Sequence, residues 1–124
     1  PLTHRDHAHG VVFVTGHAKP GDAGTDWRAL AATAHSARLT LVIYMGVSGA
    51  RRIQAELLTG LPYSTPVAVI QNASLPTQRH ISCTLGALAT DIEIHNMASP
   101  SVIVVGDVVA CLALAAAHPQ AAAA

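Results

Sequence analysis

The chain has 124 residues, of which 51% are hydrophobic and 11% are charged, whereas globular domains usually carry roughly 25% charged residues. This composition excludes a disordered chain and suits a single domain with a real core. Seven basic residues balance seven acidic ones, and aromatic residues make up 3%, which argues against a nucleic-acid-binding surface. Because so little charge leaves part of the surface apolar, we expect that part to meet another domain or subunit.

Strands and helices alternate from the start of the chain. The β-rich residues Gly10–Thr15 predict a first strand. Asp26 is a suitable N-cap for a short helix that begins at Trp27. Leu39–Tyr44 is nearly all apolar, as in a strand that is buried on both faces.

The second half continues the alternation. Apolar residues recur at helical spacing over residues 50–58, and Gly60 and Pro62 end that helix. The remaining predicted elements are a third strand over Pro66–Gln71, a fourth strand over 78–84, a helix over 85–95 and a fifth strand over 101–106. Strands that alternate with helices in this way predict an α/β fold with one layered sheet.

Targeting signals are not visible in the sequence. No stretch reaches the ~18 apolar residues of a membrane span, and no signal-peptide pattern occurs. Cys83 and Cys111 form no C-x-x-C pair, so we expect reduced core thiols in a cytoplasmic protein. The chain begins at Pro1 without a methionine, so we expect it to be processed or cut from something longer. The chain has little to pack over residues 116–124, which predicts a disordered tail there.

Catalytic and metal-binding patterns are incomplete. His4, His7 and His9 lie close together in the sequence, but zinc needs three or four convergent ligands. In an extended segment only residues 7 and 9 share a face, so we predict solvated histidines and no metal. The sequence also contains no G-x-S-x-G elbow, no P-loop and no G-x-G-x-x-G loop. Of the acidic residues near glycines or turns, Asp22, Asp26 and Asp107, none is paired at the short spacing that a two-carboxylate mechanism needs. Residue chemistry alone therefore predicts no complete active site.

Small or unusual residues follow four of the predicted strands. In open α/β sheets, ligands bind beyond the carboxyl ends of strands, and small residues let a ligand approach the backbone. We therefore predict that these strand exits form one edge that receives a flat ligand. The exits are Thr15-Gly16-His17, Met45-Gly46, Asn72-Ala73-Ser74 and Gly106.

A set of short motifs resembles one known family. The chain contains, in this order, PLTHRD, FVTGH, DW, YMGV, TPVAVIQNAS, PTQR and VIVVGDVV. Their order and spacing resemble the tetrapyrrole methylases, and within them the members that methylate uroporphyrinogen III. The resemblance covers residues 1 to about 110 and only the C-terminal domain of such enzymes. The family's N-terminal domain, with its G-x-G-P-G-D loop, does not occur in this sequence. The resemblance implies one α/β domain over residues 1–115, with a roughly five-stranded mixed sheet flanked by helices.

The resemblance also implies a cofactor site. In the family, S-adenosyl-L-methionine lies in a cleft between the two domains. By motif match, Met45 of YMG and Ala73 of QNAS are implied cofactor contacts, with Gly46 and Asn72 beside them. If position 73 requires a positive φ, its alanine would be strained. No residue of this domain is implied to be catalytic.

The implied substrate is a tetrapyrrole rich in carboxylates, which suits hydrogen-bond donors. His4 and Arg79 are further donors, although Arg79 is equally suited to pair with a carboxylate within the domain. The residues implied to bind the substrate are Thr15, Gly16, His17 and Arg5.

The implied reaction transfers a sulfonium methyl group to pyrrole carbons C2 and C7 of uroporphyrinogen III. The products are precorrin-2, for siroheme or cobalamin, and S-adenosyl-L-homocysteine. The enzyme mainly supplies proximity and orientation. We expect the chain to be inactive without its N-terminal domain and the complete enzyme to be a homodimer. Two alternatives stay open: a non-catalytic cofactor-binding or dimerisation module, and a methylase of a later corrin intermediate.

Overall fold

The computed structural model of the protein describes residues 1–111. In this part of the chain, five strands form one mixed sheet in the order β1-β2-β5-β3-β4. β1 pairs with β2 in parallel, whereas β5 is antiparallel to both β2 and β3, and β4 is antiparallel to β3. The predicted α/β fold with a mixed sheet is therefore confirmed. The strands are β1 Gly10–Thr15, β2 Leu39–Tyr44, β3 Pro66–Gln71, β4 Arg79–Thr84 and β5 Ser101–Val105.

Three α-helices connect the strands over the described residues: α1 Trp27–Ala37, α2 Ala50–Leu57 and α3 Leu88–Ile94. The predicted cap of α1 is confirmed, because the backbone N–H of Ala29 donates to Oδ1 of Asp26 at 3.1 Å. The predicted helix over 85–95 begins with a 3₁₀ turn, Leu85–Ala87, before α3. None of the helices described is both long and apolar enough to cross a membrane.

The main core lies between the helices and one face of the sheet. Every second residue of β2, β3 and β5 points to this face, as the strand period requires. All three helices pack against it, and each fully buried Leu or Ile side chain contributes about 1.5–3 kcal/mol. Its most deeply buried members are Leu41, Ile43, Ile53, Leu57, Leu85, Leu88, Ile103, Val67, Val69 and Val105.

The opposite face of the sheet is only partly covered. A small cluster of Ala68, Val104 and Val109 is buried there, with Leu2 packed against it. Farther along the same face, the rings of Phe13 and Tyr44 stack at 6.3 Å and stay exposed to 58% and 47%. We call these two rings and the surface around them the open sheet face. The apolar surface expected from the low charge content is found here.

The strand directions define two edges of the sheet. The carboxyl ends of β1, β2 and β3 form one edge, which we call the exit edge, and their amino ends form the entry edge. Because β5 runs the other way, Gly106 lies at the entry edge. The prediction that all four strand exits share one edge was therefore wrong for Gly106. The predicted tail, residues 116–124, lies outside the described residues.

The N-terminal segment is held at the entry edge. The buried hydroxyl of Thr40 donates to the carbonyl of Leu2 at 2.7 Å, and the N–H of His9 donates to the carbonyl of Arg38 at 2.8 Å. The first bond satisfies a buried hydroxyl that would otherwise destabilise the fold. Together the two bonds place residues 1–9 beside the first residues of β1 and β2.

Candidate functional site

Three turns meet at the exit edge, one after each of β1, β2 and β3. The turns after β1 and β2 lie side by side because these two parallel strands are neighbours, whereas β5 separates β2 from β3. The N–H of Gly16 donates to the carbonyl of Tyr44 at 2.6 Å, which ties the first turn to the second. The structure thus brings together the predicted residues Thr15, Gly16, His17, Met45, Gly46, Asn72 and Ala73.

The first two turns touch through glycines. A Cβ atom at Gly16 would lie 2.6 Å from the Cα of Gly46 and 2.9 Å from the carbonyl oxygen of Met45. Both of these neighbours are backbone atoms, so no side-chain rotation relieves the clash. Gly16 therefore permits a backbone contact on which the spacing of the two turns depends.

Strained backbone marks two of the three turns. Met45 has φ 55°, and Asn72 and Ser74 have φ 53° and 69°. Asparagine tolerates this left-handed region, but methionine seldom adopts it. The conformation of Met45 therefore carries a backbone strain energy of order 1–3 kcal/mol. Such strain concentrates at ligand-binding positions. The positive φ values lie at the two neighbours of Ala73 and not at Ala73 itself, so the condition under which its alanine would be strained is not met.

A shallow apolar cavity of about 190 Å³ opens at the exit edge. Ala73 forms part of its wall, and the small side chain leaves the cavity open. The third turn is anchored beside it, because the N–H of Asn72 donates to the carbonyl of Pro100 at 3.0 Å. No charged side chain lines the cavity. Its lining residues are Tyr44, Ile70, Ala73, Pro100, Ser101 and Val102.

Met45, in the turn after β2, is 55% exposed. A thioether is soft and polarisable, so it packs well on the edge or face of an aromatic ring. Met45 has a left-handed backbone conformation, and it lies outside the hydrophobic core. The exit edge therefore presents an exposed methionine directly after Tyr44, which lines the apolar cavity.

The predicted substrate residues divide between the two edges. Thr15 and His17 are exposed at the exit edge, where the N–H of His17 donates to Oγ1 of Thr15 at 3.2 Å. Arg5, by contrast, belongs to the N-terminal segment at the entry edge. Arg79 donates to the carbonyl of His95 at 2.7 Å, so its guanidinium already has a partner within the domain. Arg5 is the predicted site residue that the structure does not bring to the others.

The surroundings of Cys83 disfavour the reactive thiolate form of its side chain. Burial raises the pKa of its thiol from 9.0 to about 11, and the negative charge of Asp91 adds to the shift. Both cysteines are free and half-buried.

Cys83 should therefore react slowly with alkylating reagents in the folded chain. Because the thiolate is the reactive form, a pKa raised from 9.0 to about 11 lowers the thiolate fraction at pH 7 about 100-fold. A thiolate of higher pKa is more nucleophilic, so we expect the labelling rate in the folded chain to be about 10-fold or more below that in the unfolded chain. Iodoacetamide labelling of Cys83, followed by mass spectrometry in the folded and the urea-unfolded chain, measures this ratio. The folded rate should keep rising with pH up to about 11. Equal rates in both states would contradict the buried environment.

Comparison with known proteins identifies the family. A family model described as Tetrapyrrole (Corrin/Porphyrin) Methylases matches residues 1–89. Siroheme synthase from Nitrosomonas eutropha is 44% identical over 110 residues, and siroheme synthase 2 from Serratia proteamaculans is 49% identical over 110 residues. Each alignment covers 88% of this chain and 22% of the relative. The chain thus spans about a fifth of the length of these relatives.

A solved structure shares the fold. Uroporphyrin-III C-methyl transferase from Thermus thermophilus, complexed with S-adenyl homocysteine, superposes with a TM-score of 0.75 at 33% identity. The superposition covers 90% of this chain and 48% of that one. The family model covers most of the sequence, and the solved structure has the fold of the described residues. The chain belongs to the tetrapyrrole (corrin/porphyrin) methylase family.

Proposed function

We propose that this chain is the C-terminal domain of an S-adenosyl-L-methionine-dependent methyltransferase that methylates uroporphyrinogen III at C2 and C7 to give precorrin-2. The observation that carries the proposal is the apolar cavity bounded by Ala73 at the exit edge. It is supported by the likeness to a uroporphyrin-III C-methyl transferase complexed with S-adenyl homocysteine.

The residues of the exit edge fit the proposed cofactor. An adenine ring is flat and largely apolar on its faces, and the cavity offers apolar walls with no charged group. The thioether of Met45 would contact the ring, while Gly46, Asn72 and Ala73 would let backbone groups approach it. When bound, the cofactor supplies a methyl group on a positively charged sulfur, which the electron-rich pyrrole carbon of the substrate accepts.

The chain's own contribution to the reaction is placement. Thr15, Gly16 and His17 would line the side of the cleft that receives the tetrapyrrole, with the Thr15 hydroxyl and the His17 ring available to its carboxylates. Holding two reactants in a productive orientation removes several kcal/mol of the barrier, up to about 7–11 kcal/mol in the best cases. Within the described residues we assign no group to proton transfer, and we propose that the N-terminal domain does this work.

The open sheet face supports the proposed partners. The exposed rings of Phe13 and Tyr44 lie on the open sheet face, next to the exit edge. An apolar surface of this kind is typical of a contact with another domain or subunit. We propose that the N-terminal domain and a second copy of the enzyme cover it, and that the enzyme is cytoplasmic.

A methylation assay of the complete protein that contains this chain tests the proposal. Incubation with uroporphyrinogen III and methyl-labelled S-adenosyl-L-methionine should add two methyl groups to the tetrapyrrole, as measured by mass spectrometry. Methylation of a later corrin intermediate, with none of uroporphyrinogen III, would favour the alternative methylase. Cofactor binding without methylation of any tetrapyrrole would favour a non-catalytic module.

A further inference from the structure

A tight turn at the entry edge brings two histidines side by side. The N–H groups of His7 and Ala8 both donate to the carbonyl of His4, at 3.0 and 2.8 Å, and the N–H of His4 donates back to Ala8 at 3.1 Å. The two imidazole rings consequently lie 4.7 Å apart between centroids. The expectation of an extended segment, on which residue 4 would not share a face with its neighbours, was wrong for His4 and His7.

Cys111 approaches the same two rings from the other end of the described chain. Residues 108–111 form a helical turn after β5, which ends at the entry edge. The ligand atoms of His4, His7 and Cys111 all lie within 4.8 Å of one another. The ligand atoms of a tetrahedral zinc site lie roughly 3.3–3.8 Å apart, given bond lengths of about 2.0–2.3 Å. An inward movement of roughly 1 Å would thus bring the three groups to binding distance.

We propose that His4, His7 and Cys111 bind a zinc-type divalent ion. Two imidazole nitrogens and a thiolate select such an ion over magnesium or calcium, which prefer oxygen ligands. The three residues leave a fourth position for water or another ligand. This proposal replaces the sequence-based expectation of no metal, and it is independent of the proposed methyltransferase activity.

One hydrogen bond already engages a ring nitrogen of His4. The N–H of Asp6 donates to Nδ1 of His4 at 3.1 Å, which leaves the proton of neutral His4 on Nε2. Metal binding therefore requires His4 to give up this hydrogen bond. In return, the ion would join the N-terminal segment to the turn that follows β5, closing almost the whole described chain into one loop. A link of this length has the greatest effect on the entropy of the unfolded chain.

Calorimetric titration of the 124-residue chain with Zn²⁺ tests the proposal. We expect one ion per chain and, at zinc a hundredfold above Kd, a rise in Tm of roughly 10 °C. Co²⁺ in place of Zn²⁺ should give a thiolate-to-metal charge-transfer absorption. Cys111→Ser should abolish that absorption, and both Cys111→Ser and His7→Gln should weaken zinc binding about 100-fold or more, because loss of an outer-shell partner alone costs 10–100-fold.

Two variants serve as matched controls. Cys83→Ser removes the other free thiol, which lies on β4, and His95→Gln removes a histidine at the C-cap of α3. Both should bind zinc as the unaltered chain does. The proposal is overturned if the chain shows no saturable zinc binding. It is overturned equally if Cys111→Ser retains full affinity, or if the controls lose as much affinity as the site variants.

Discussion

Replacing Ala73 with leucine is expected to weaken binding of S-adenosyl-L-homocysteine to the complete protein by about 10- to 100-fold. Ala73 forms part of the wall of the apolar cavity at the exit edge, and the larger side chain would occupy space that the proposed adenine ring needs. Overfilling a well-fitted site costs about 1–3 kcal/mol, which corresponds to this loss in affinity. Calorimetry with S-adenosyl-L-homocysteine measures the change.

The matched control is Ala55→Leu. Ala55 is exposed on α2, which packs on the opposite face of the sheet, and the same change there should leave the affinity within about twofold. Because Ala73 is also exposed in the folded chain, its replacement should leave the midpoint of urea unfolding nearly unchanged. Unaltered affinity in the Ala73 variant, with its fold intact, would contradict a cofactor site at this cavity.

Replacing Gly16 with alanine is expected to lower the free energy of unfolding by about 1–3 kcal/mol. The new Cβ would lie 2.6 Å from the Cα of Gly46. Because the crowded atoms belong to the backbone, the backbone itself must move to relieve the clash. The shift would separate the turns after β1 and β2, where the proposed substrate and cofactor residues meet. Cofactor affinity in the complete protein should therefore fall together with stability.

Gly49→Ala is the matched control for this change. The nearest atom to its added Cβ is the Cδ1 of Ile53 at 3.8 Å, and its φ of −103° is open to any residue. The free energy of unfolding should change by less than about 1 kcal/mol. Urea unfolding curves of the two variants compare the effects. A Gly16 variant as stable as the Gly49 variant would show that the two turns do not depend on their close contact.

The local elements of this fold follow from its sequence. β-branched and apolar runs predicted the first three strands with the boundaries that the structure has, since Gly, Pro and polar residues end each run. The alternation with helices predicted the layered sheet. The direction of β5 was not predictable from Ser101–Val105, because an apolar strand reads the same way in parallel and antiparallel pairing. The misplacement of Gly106 followed directly from that ambiguity.

The candidate site was predictable only in part. The turns after β1, β2 and β3 lie at one edge because these three strands run in the same direction, and general rules for α/β sheets anticipate ligand sites at such an edge. Arg5 could not be placed, because its position depends on a turn within the N-terminal segment. The approach of Cys111 to His4 and His7 was equally hidden, since these residues stand at opposite ends of the described chain.

A crystal structure of the complete protein with S-adenosyl-L-homocysteine bound tests the central claim most directly. We predict that the adenosine lies at the exit edge, with its ring against Met45 and Ala73 and its sulfur directed toward the side formed by Thr15 and His17. A ligand bound at the entry edge, or anywhere that leaves Met45 and Ala73 untouched, would contradict the assignment of the exit edge as the cofactor-binding part of this domain.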